Sequence, residues 1–394
     1  MSVKRFFSKR VNFIYLITLA MPLAFATWMS LINNFSIEVA NFTGREIGIL
    51  QSVREIPGFL AFLAIYLLLI FTQQTLAAVS LLLLGVGVLL TGFFPSEYGL
   101  YATTFIMSVG FHYLETVKQS LTLQWIPKKI APIVFGNIES VKSFAMVLAY
   151  VSIYVLFDFL QMSYLFSYVL FGSLSIVLAL IAYFGFKHFR DRVFQTKKIV
   201  LKKKYWLFYV LTFFSGARRQ IFVVFAGFLL VEKFGFSVQN IVLLHLSTAI
   251  INTYFARVIG RFIARVGERI ALHLEYIGLV VIFVTYAVVE SQNLAIALYI
   301  IDHILFAMAI AIKTYFQKIA DGGDMASSAG VSFTINHIAA VVLPVLLGFV
   351  WLYSYELVFY CGALIALCSL AFSFLVPSKE EFILLQNTQI TPTK

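Results

Sequence analysis

Long apolar runs separated by short polar gaps recur along the chain from Val11 to Leu375. A helix needs ~20 residues to cross the ~30 Å hydrocarbon layer of a bilayer. Breaks at charge and turn clusters divide the chain into twelve runs of that size, near 11–35, 46–71, 75–94, 98–125, 132–157, 163–186, 205–230, 237–259, 270–289, 294–317, 327–352 and 356–376. The pattern predicts an all-α polytopic membrane protein of twelve transmembrane helices. The narrowest division follows Phe71, where only Thr72-Gln73-Gln74 separates two runs. An odd number of spans would put the termini on opposite sides, so the charges between the runs check the count.

They favour twelve. With the N-terminus inside, the cytoplasmic segments hold 20 of the 29 lysines and arginines, the external loops only Arg45 and Lys233, and the spans the remaining seven. That asymmetry is the positive-inside pattern, and it places both termini in the cytoplasm of a multi-pass protein of the inner (plasma) membrane. The net charge of +11 is therefore a topology signal and not a nucleic-acid footprint. Composition agrees: 61% hydrophobic and 12% charged residues, against about 45–50% and 25% in soluble domains, exclude a soluble enzyme. The first run continues to about Asn33 and no small-residue cleavage site follows it, so a cleavable signal peptide is not expected. Cys361 and Cys368 lie seven apart in one apolar run and form neither a disulfide framework nor a metal site.

The longest polar stretch, Lys187 to Lys204, divides the runs six and six. The expected organisation is an N-terminal six-helix bundle over 1–186, a basic cytoplasmic linker over 187–204 that touches anionic lipid heads, a C-terminal six-helix bundle over 205–376 and a mobile cytoplasmic tail over 377–394. The halves also resemble each other. Lys118 precedes Gly136 by 18 residues, and Lys313 precedes Gly330 by 17.

On these features the chain resembles the major facilitator superfamily of secondary transporters. That family carries a motif of the form G-x-L-x-D-R-x-G-R-[RK] after its second span, often repeated after the eighth. The segment Gly260-Arg261-Phe262-Ile263-Ala264-Arg265-Val266-Gly267-Glu268-Arg269 matches the second copy at Gly260, Arg265, Gly267 and Arg269. Phe71-Thr72-Gln73-Gln74 is too short and uncharged to supply the first. The resemblance implies a two-bundle fold, a substrate site between the halves near the midplane, and a cytoplasmic gate at the motif. The Gly-Pro-rich antiporter signature of the fifth span is absent from GNIESVKSFAMVLAYV, which argues against a drug/proton antiporter.

Ionisable residues at bilayer depth are costly and mark partners or water-filled paths. In the fourth and fifth runs, Glu115 and Lys142 both lie ~15 Å from the intervening turn, and Lys118 and Glu139 ~10–12 Å from it. Matched depth and opposite sign predict two interhelical ion pairs, structural or switchable. Arg218 and Arg219 follow Ser215-Gly216 in the middle of the seventh run and point about 100° apart. One is expected to face a cavity and bind an anionic group of the cargo; the alternative is that both pair with buried acids such as Asp302 or Glu275. Arg54, beside Glu55, is a second anion candidate. Asp302, His303 and His337 could carry a proton. Lys313 can snorkel.

No P-loop or zinc spacing is present, and no cofactor or metal is expected. The leading expectation is a monomeric secondary transporter, not an enzyme. It would move a small polar, possibly anionic solute by alternating access through the lipid bilayer, with protons as driving ion. The alternatives are an uncoupled facilitator, and a membrane-embedded enzyme or sensor acting on a lipid-linked substrate. The short external loops leave such an enzyme little room.

Overall fold

The computed structural model describes residues 9–67, 70–126, 131–189, 202–320 and 325–382. Helices stand at each expected run: α1 (Arg10–Glu38), α2 (Gly44–Phe59), α3 (Gln73–Thr91), α4 (Glu97–Trp125), α5 (Ala131–Tyr154), α6 (Tyr164–Leu180), α7 (Trp206–Ile221), α8 (Val238–Val266), α9 (Glu268–Ala287), α10 (Gln292–Phe306), α11 (Met325–Trp351) and α12 (Tyr355–Ser373). No strand occurs among the described residues. Several helices run on through tight or wide turns. A 3₁₀ turn Leu60–Leu63 follows α2, a π turn Phe222–Ala226 follows α7, and a 3₁₀ turn Ala307–Ala309 leads from α10 into a further helix, Ile310–Ile319.

Among the described residues, nine helices are long and apolar enough to cross a membrane. The other three, α2, α4 and α8, occupy the places of the remaining expected spans. α2 is broken by its 3₁₀ turn, α4 carries Glu115 and Lys118, and in α8 only Val238–Ile251 is continuously apolar. The narrow division after Phe71 is a helix boundary. Thr72 caps α3, its hydroxyl accepting from the Thr75 amide at 3.2 Å. Ser96, Ser163, Ser291 and Ser354 cap α4, α6, α10 and α12 in the same way. Each satisfies an amide that the first turn leaves open. Pro22, Pro57 and Pro344 lie within helices, as membrane helices tolerate.

The chain forms two compact units, one of Met1–Thr196 with Val231–Leu246, the other of Lys197–Leu230 with Ser247–Lys394. Within the first, α1 packs on α5 and α6, and α3 on α4 and α6. Within the second, α7 packs on α11 and α12, and α9 on α10 and α12. The same pairings in the same order extend the weak internal repeat of the sequence. The Val231–Leu246 segment joins the first unit through Asn34, which donates to the Phe236 carbonyl at 2.7 Å, and through Ser30, 3.4 Å from His245 Nδ1.

The chain's polar segments make contacts where they are described. Residues 376–382 lie against the second unit, and Phe382 is buried. Of the basic linker, Lys187, His188 and Phe189 are held against the first unit, while 190–201, like the tail residues 383–394, lie outside the described residues.

Candidate functional site

The densest buried charge in the second unit gathers around Arg218. Adjacent residues on a helix point ~100° apart, so Arg218 and Arg219 diverge. Arg218 turns inward and is 2% exposed; Arg219 is exposed, its guanidinium 5.7 Å from the Phe306 ring. Arg218 Nη1 donates to Glu275 Oε1 at 3.3 Å and Nε donates to the Phe214 carbonyl at 3.2 Å. The guanidinium lies 4.3 Å from the Tyr276 ring centre, a cation–π contact that a desolvated site strengthens. Glu275 is fully buried on α9. Asp302, on α10 and also buried, is within electrostatic reach of both Arg218 and Glu275, and its carboxylate makes no hydrogen bond among the described residues.

The site thus sets one guanidinium against two carboxylates. Its hydrogen bonding is also incomplete: Arg218 Nη2, Glu275 Oε2 and the Tyr276 hydroxyl are buried and unpaired among the described residues. A buried charge without compensation is far more costly than a neutral polar group. A proton on one carboxylate balances the cluster. The helices that carry it are irregular beside it, with the π turn one turn beyond Arg218 and the 3₁₀ turn one turn beyond His303. Such breaks concentrate at functional positions.

Two of the three arginines expected as anion ligands have acidic partners. Arg218 is committed to Glu275. Arg54 is committed to Glu55, whose Oε1 accepts from Nε at 2.9 Å and Nη2 at 2.5 Å, while Nη1 lies 3.1 Å from Met29 Sδ. Ser108 further ties this pair to α4 by donating to the Arg54 carbonyl. Only Arg219 remains exposed. Of the histidines, His303 Nδ1 donates to the Tyr299 carbonyl at 2.9 Å and His337 Nδ1 to the Phe333 carbonyl at 2.8 Å. A carbonyl only accepts, so both Nδ1 atoms carry hydrogen, and each ring is held on its own helix.

The expected interhelical pairs of α4 and α5 do not form. Lys118 bonds Glu115 at 2.6 Å and Lys142 lies 3.8 Å from Glu139, each pair within one helix at i,i+3. Such neighbours are in reach without any tertiary closure, and that local partner wins over one at equal depth on another helix. The pairs differ in burial. The Lys118 side chain is 7% exposed, whereas Glu139 is 70% exposed. Neutralising Glu115 as Glu115→Gln is therefore expected to lower the melting temperature, because it strands a buried ammonium. Glu139→Gln is expected to leave it unchanged. Equal melting curves for the two variants would refute this ranking. Lys313, the counterpart of Lys118 in the repeat, is exposed.

In the motif segment, Gly260 and Arg265 lie within α8, and the turn into α9 is a single residue, Gly267, at φ +89°. Arg265 is exposed, while Arg269 binds the backbone carbonyls of Phe374 and Val376 just beyond α12. Glu275 is one of the two acids named from the sequence as alternative partners of the arginines, and for Arg218 that alternative holds; Tyr276 was legible only as an aromatic in an apolar run.

A family model described as the Major Facilitator Superfamily matches residues 11–344. Among solved structures, a mutant of the nucleoside transporter NupG is similar at a TM-score of 0.77 and 15% identity, covering 93% of this chain and 100% of that one. A bacterial homologue of the human lysosomal transporter Spinster, in an inward-facing and occupied conformation, is similar at a TM-score of 0.70 and 13% identity, over 97% and 98% of the two chains. No curated protein sequence matches the chain.

Proposed function

As a member of the major facilitator superfamily, to which this chain belongs, the protein is a multi-pass membrane transporter and not an enzyme, and we propose that it moves a small polar solute by alternating access, driven by protons. The bundles proposed are 1–186 and 205–376, with both termini cytoplasmic in the inner (plasma) membrane on the strength of the basic asymmetry.

The observation that carries proton coupling is the Arg218–Glu275–Asp302 cluster, one positive group among two buried acids. Loss of the proton leaves an uncompensated charge in a site closed to water, and the cost favours a rearrangement that restores balance. Proton binding and conformation are thereby linked. Arg219 supports an anionic group on the cargo. An arginine exposed in mid-span faces water and not lipid, since lipid exposure at that depth is strongly unfavourable.

The test is uptake by proteoliposomes under an imposed pH gradient, across a panel that contains nucleosides, neutral sugars and small organic anions. Accumulation that follows the gradient and collapses with a protonophore is expected for at least one solute. Equilibration without accumulation for every transported solute would make the protein an uncoupled facilitator.

A further inference from the structure

Arg269 is the second residue of α9, and its guanidinium closes on the chain leaving α12. Nε donates to the Val376 carbonyl at 2.5 Å, Nη2 donates to the Phe374 carbonyl at 3.0 Å, and Nη2 lies 3.4 Å from the Glu381 carboxylate. Lys379 adds a second hold, donating to the Arg265 carbonyl at 3.1 Å across the Gly267 turn. The segment ends with Phe382, whose ring lies 4.9 Å from Lys318 Nζ and 6.2 Å from the Tyr315 ring near the end of the α10 span.

The first unit contains the same arrangement in different residues. Gln74 is the second residue of α3, the helix that corresponds to α9 in the repeat. Its Nε2 donates to the Lys187 carbonyl at 3.2 Å, and its Oε1 accepts from the Phe189 amide at 2.9 Å. Lys187 and Phe189 leave the sixth span as Phe374 and Val376 leave the twelfth. Phe189 then packs against Trp125 at the end of α4, with ring centres 5.2 Å apart, as Phe382 packs near the end of the α10 span. Position in the third helix, target on the outgoing backbone and aromatic seat on the fourth span all correspond.

We infer that Gln74 and Arg269 are equivalent positioning residues, each fastening the chain that leaves the last span of its unit to the start of the third. Gln74 thus does the work of the motif copy that the first half lacks. A glutamine amide offers a donor NH2 and an acceptor oxygen side by side, which suits a carbonyl and an amide two residues apart. Arginine offers only donors, which suits two carbonyls and a carboxylate. Alternating access moves each bundle largely as a body, and the clasps keep the linker and the tail from peeling the last span away from that body.

Hydrogen exchange on the purified full-length protein in nanodiscs tests this, with tryptic cleavage after Lys187 and Lys379 as a second reading. Each neutral hydrogen bond contributes ~1 kcal/mol. Gln74→Ala should therefore raise exchange at Phe189, and cleavage after Lys187, about fivefold while residues 374–382 stay at the wild-type level. Arg269→Ala should do the reverse. Arg269→Gln, which keeps one donor, should loosen the tail less than Arg269→Ala; Gln74→Glu, which keeps the acceptor for Phe189, serves if Gln74→Ala does not fold. Unchanged protection at Phe189 in a folded Gln74 variant would overturn the inference. So would loosening of both segments by either variant, because that is general destabilisation and not a local clasp.

Discussion

Asp302→Asn is expected to abolish accumulation of the solute against its gradient while leaving its exchange across the membrane intact. Asparagine keeps the shape of a protonated aspartate and cannot release the proton, so it fixes the cluster at charge balance. A one-unit pH gradient supports about tenfold accumulation when one proton accompanies each solute, since 1.4 kcal/mol is a factor of ten. In the variant that ratio should fall to about one. Glu275→Gln should uncouple in the same way, because Arg218 then has Asp302 as its single counter-charge. Arg218→Gln should act on the protein itself. It removes the cation paired with Glu275 and the group packed on Tyr276, and breaking a buried pair from one side costs ~3–5 kcal/mol. The measurements are counterflow and pH-driven uptake in the same proteoliposomes, with folded yield alongside. Wild-type accumulation by Asp302→Asn would remove the cluster from the coupling mechanism.

Gly87→Ala and Gly110→Ala are each expected to destabilise the first unit, and the double variant to yield little folded protein. The two glycines lie where α3 and α4 cross. A Cβ on Gly87 would fall on the Met107 backbone, and one on Gly110 on the Leu84 amide. Backbone cannot rotate aside as a side chain does, so the helices must separate along a contact that small residues made close. Overpacking of this kind costs ~1–3 kcal/mol per site and sometimes more. Gly260→Ala is the internal control. It is helical, has no atom within 4 Å of the added carbon, and should be neutral or stabilising by up to ~1 kcal/mol. Size-exclusion profiles after heating would rank the three. A Gly110→Ala protein that melts with wild type would show that the crossing is looser than its geometry indicates.

What could be read from the residues alone was whatever depends on local composition and length. The apolar runs placed the helices, because crossing a bilayer is a property of some twenty consecutive residues. The break at Thr72 was visible for the same reason, and so was the match of Gly260 to Arg269 with its family's motif. Which charges stand within apolar runs was also legible, but not which of them the protein buries: Arg218, Asp302 and Lys118 are buried, whereas Arg219, Glu139 and Lys313 are exposed. Rotation about the helix axis was not legible. Matched depth pointed Glu115 to Lys142, yet the partner one turn away on its own helix needs no tertiary closure. Glu275 lies 57 residues from Arg218, and their meeting depends on how α7, α9 and α10 turn toward one another. Gln74 was passed over as part of a weak gap. Its partners are backbone groups of Lys187 and Phe189, and a backbone carbonyl or amide carries no side-chain signature. The sequence by itself determined that the chain lives in a bilayer, because transfer energy accrues residue by residue. Only the tertiary structure decided which acid meets which base and which polar side chain holds the outgoing backbone, because those pairings depend on helix rotation and on segments far apart in the chain.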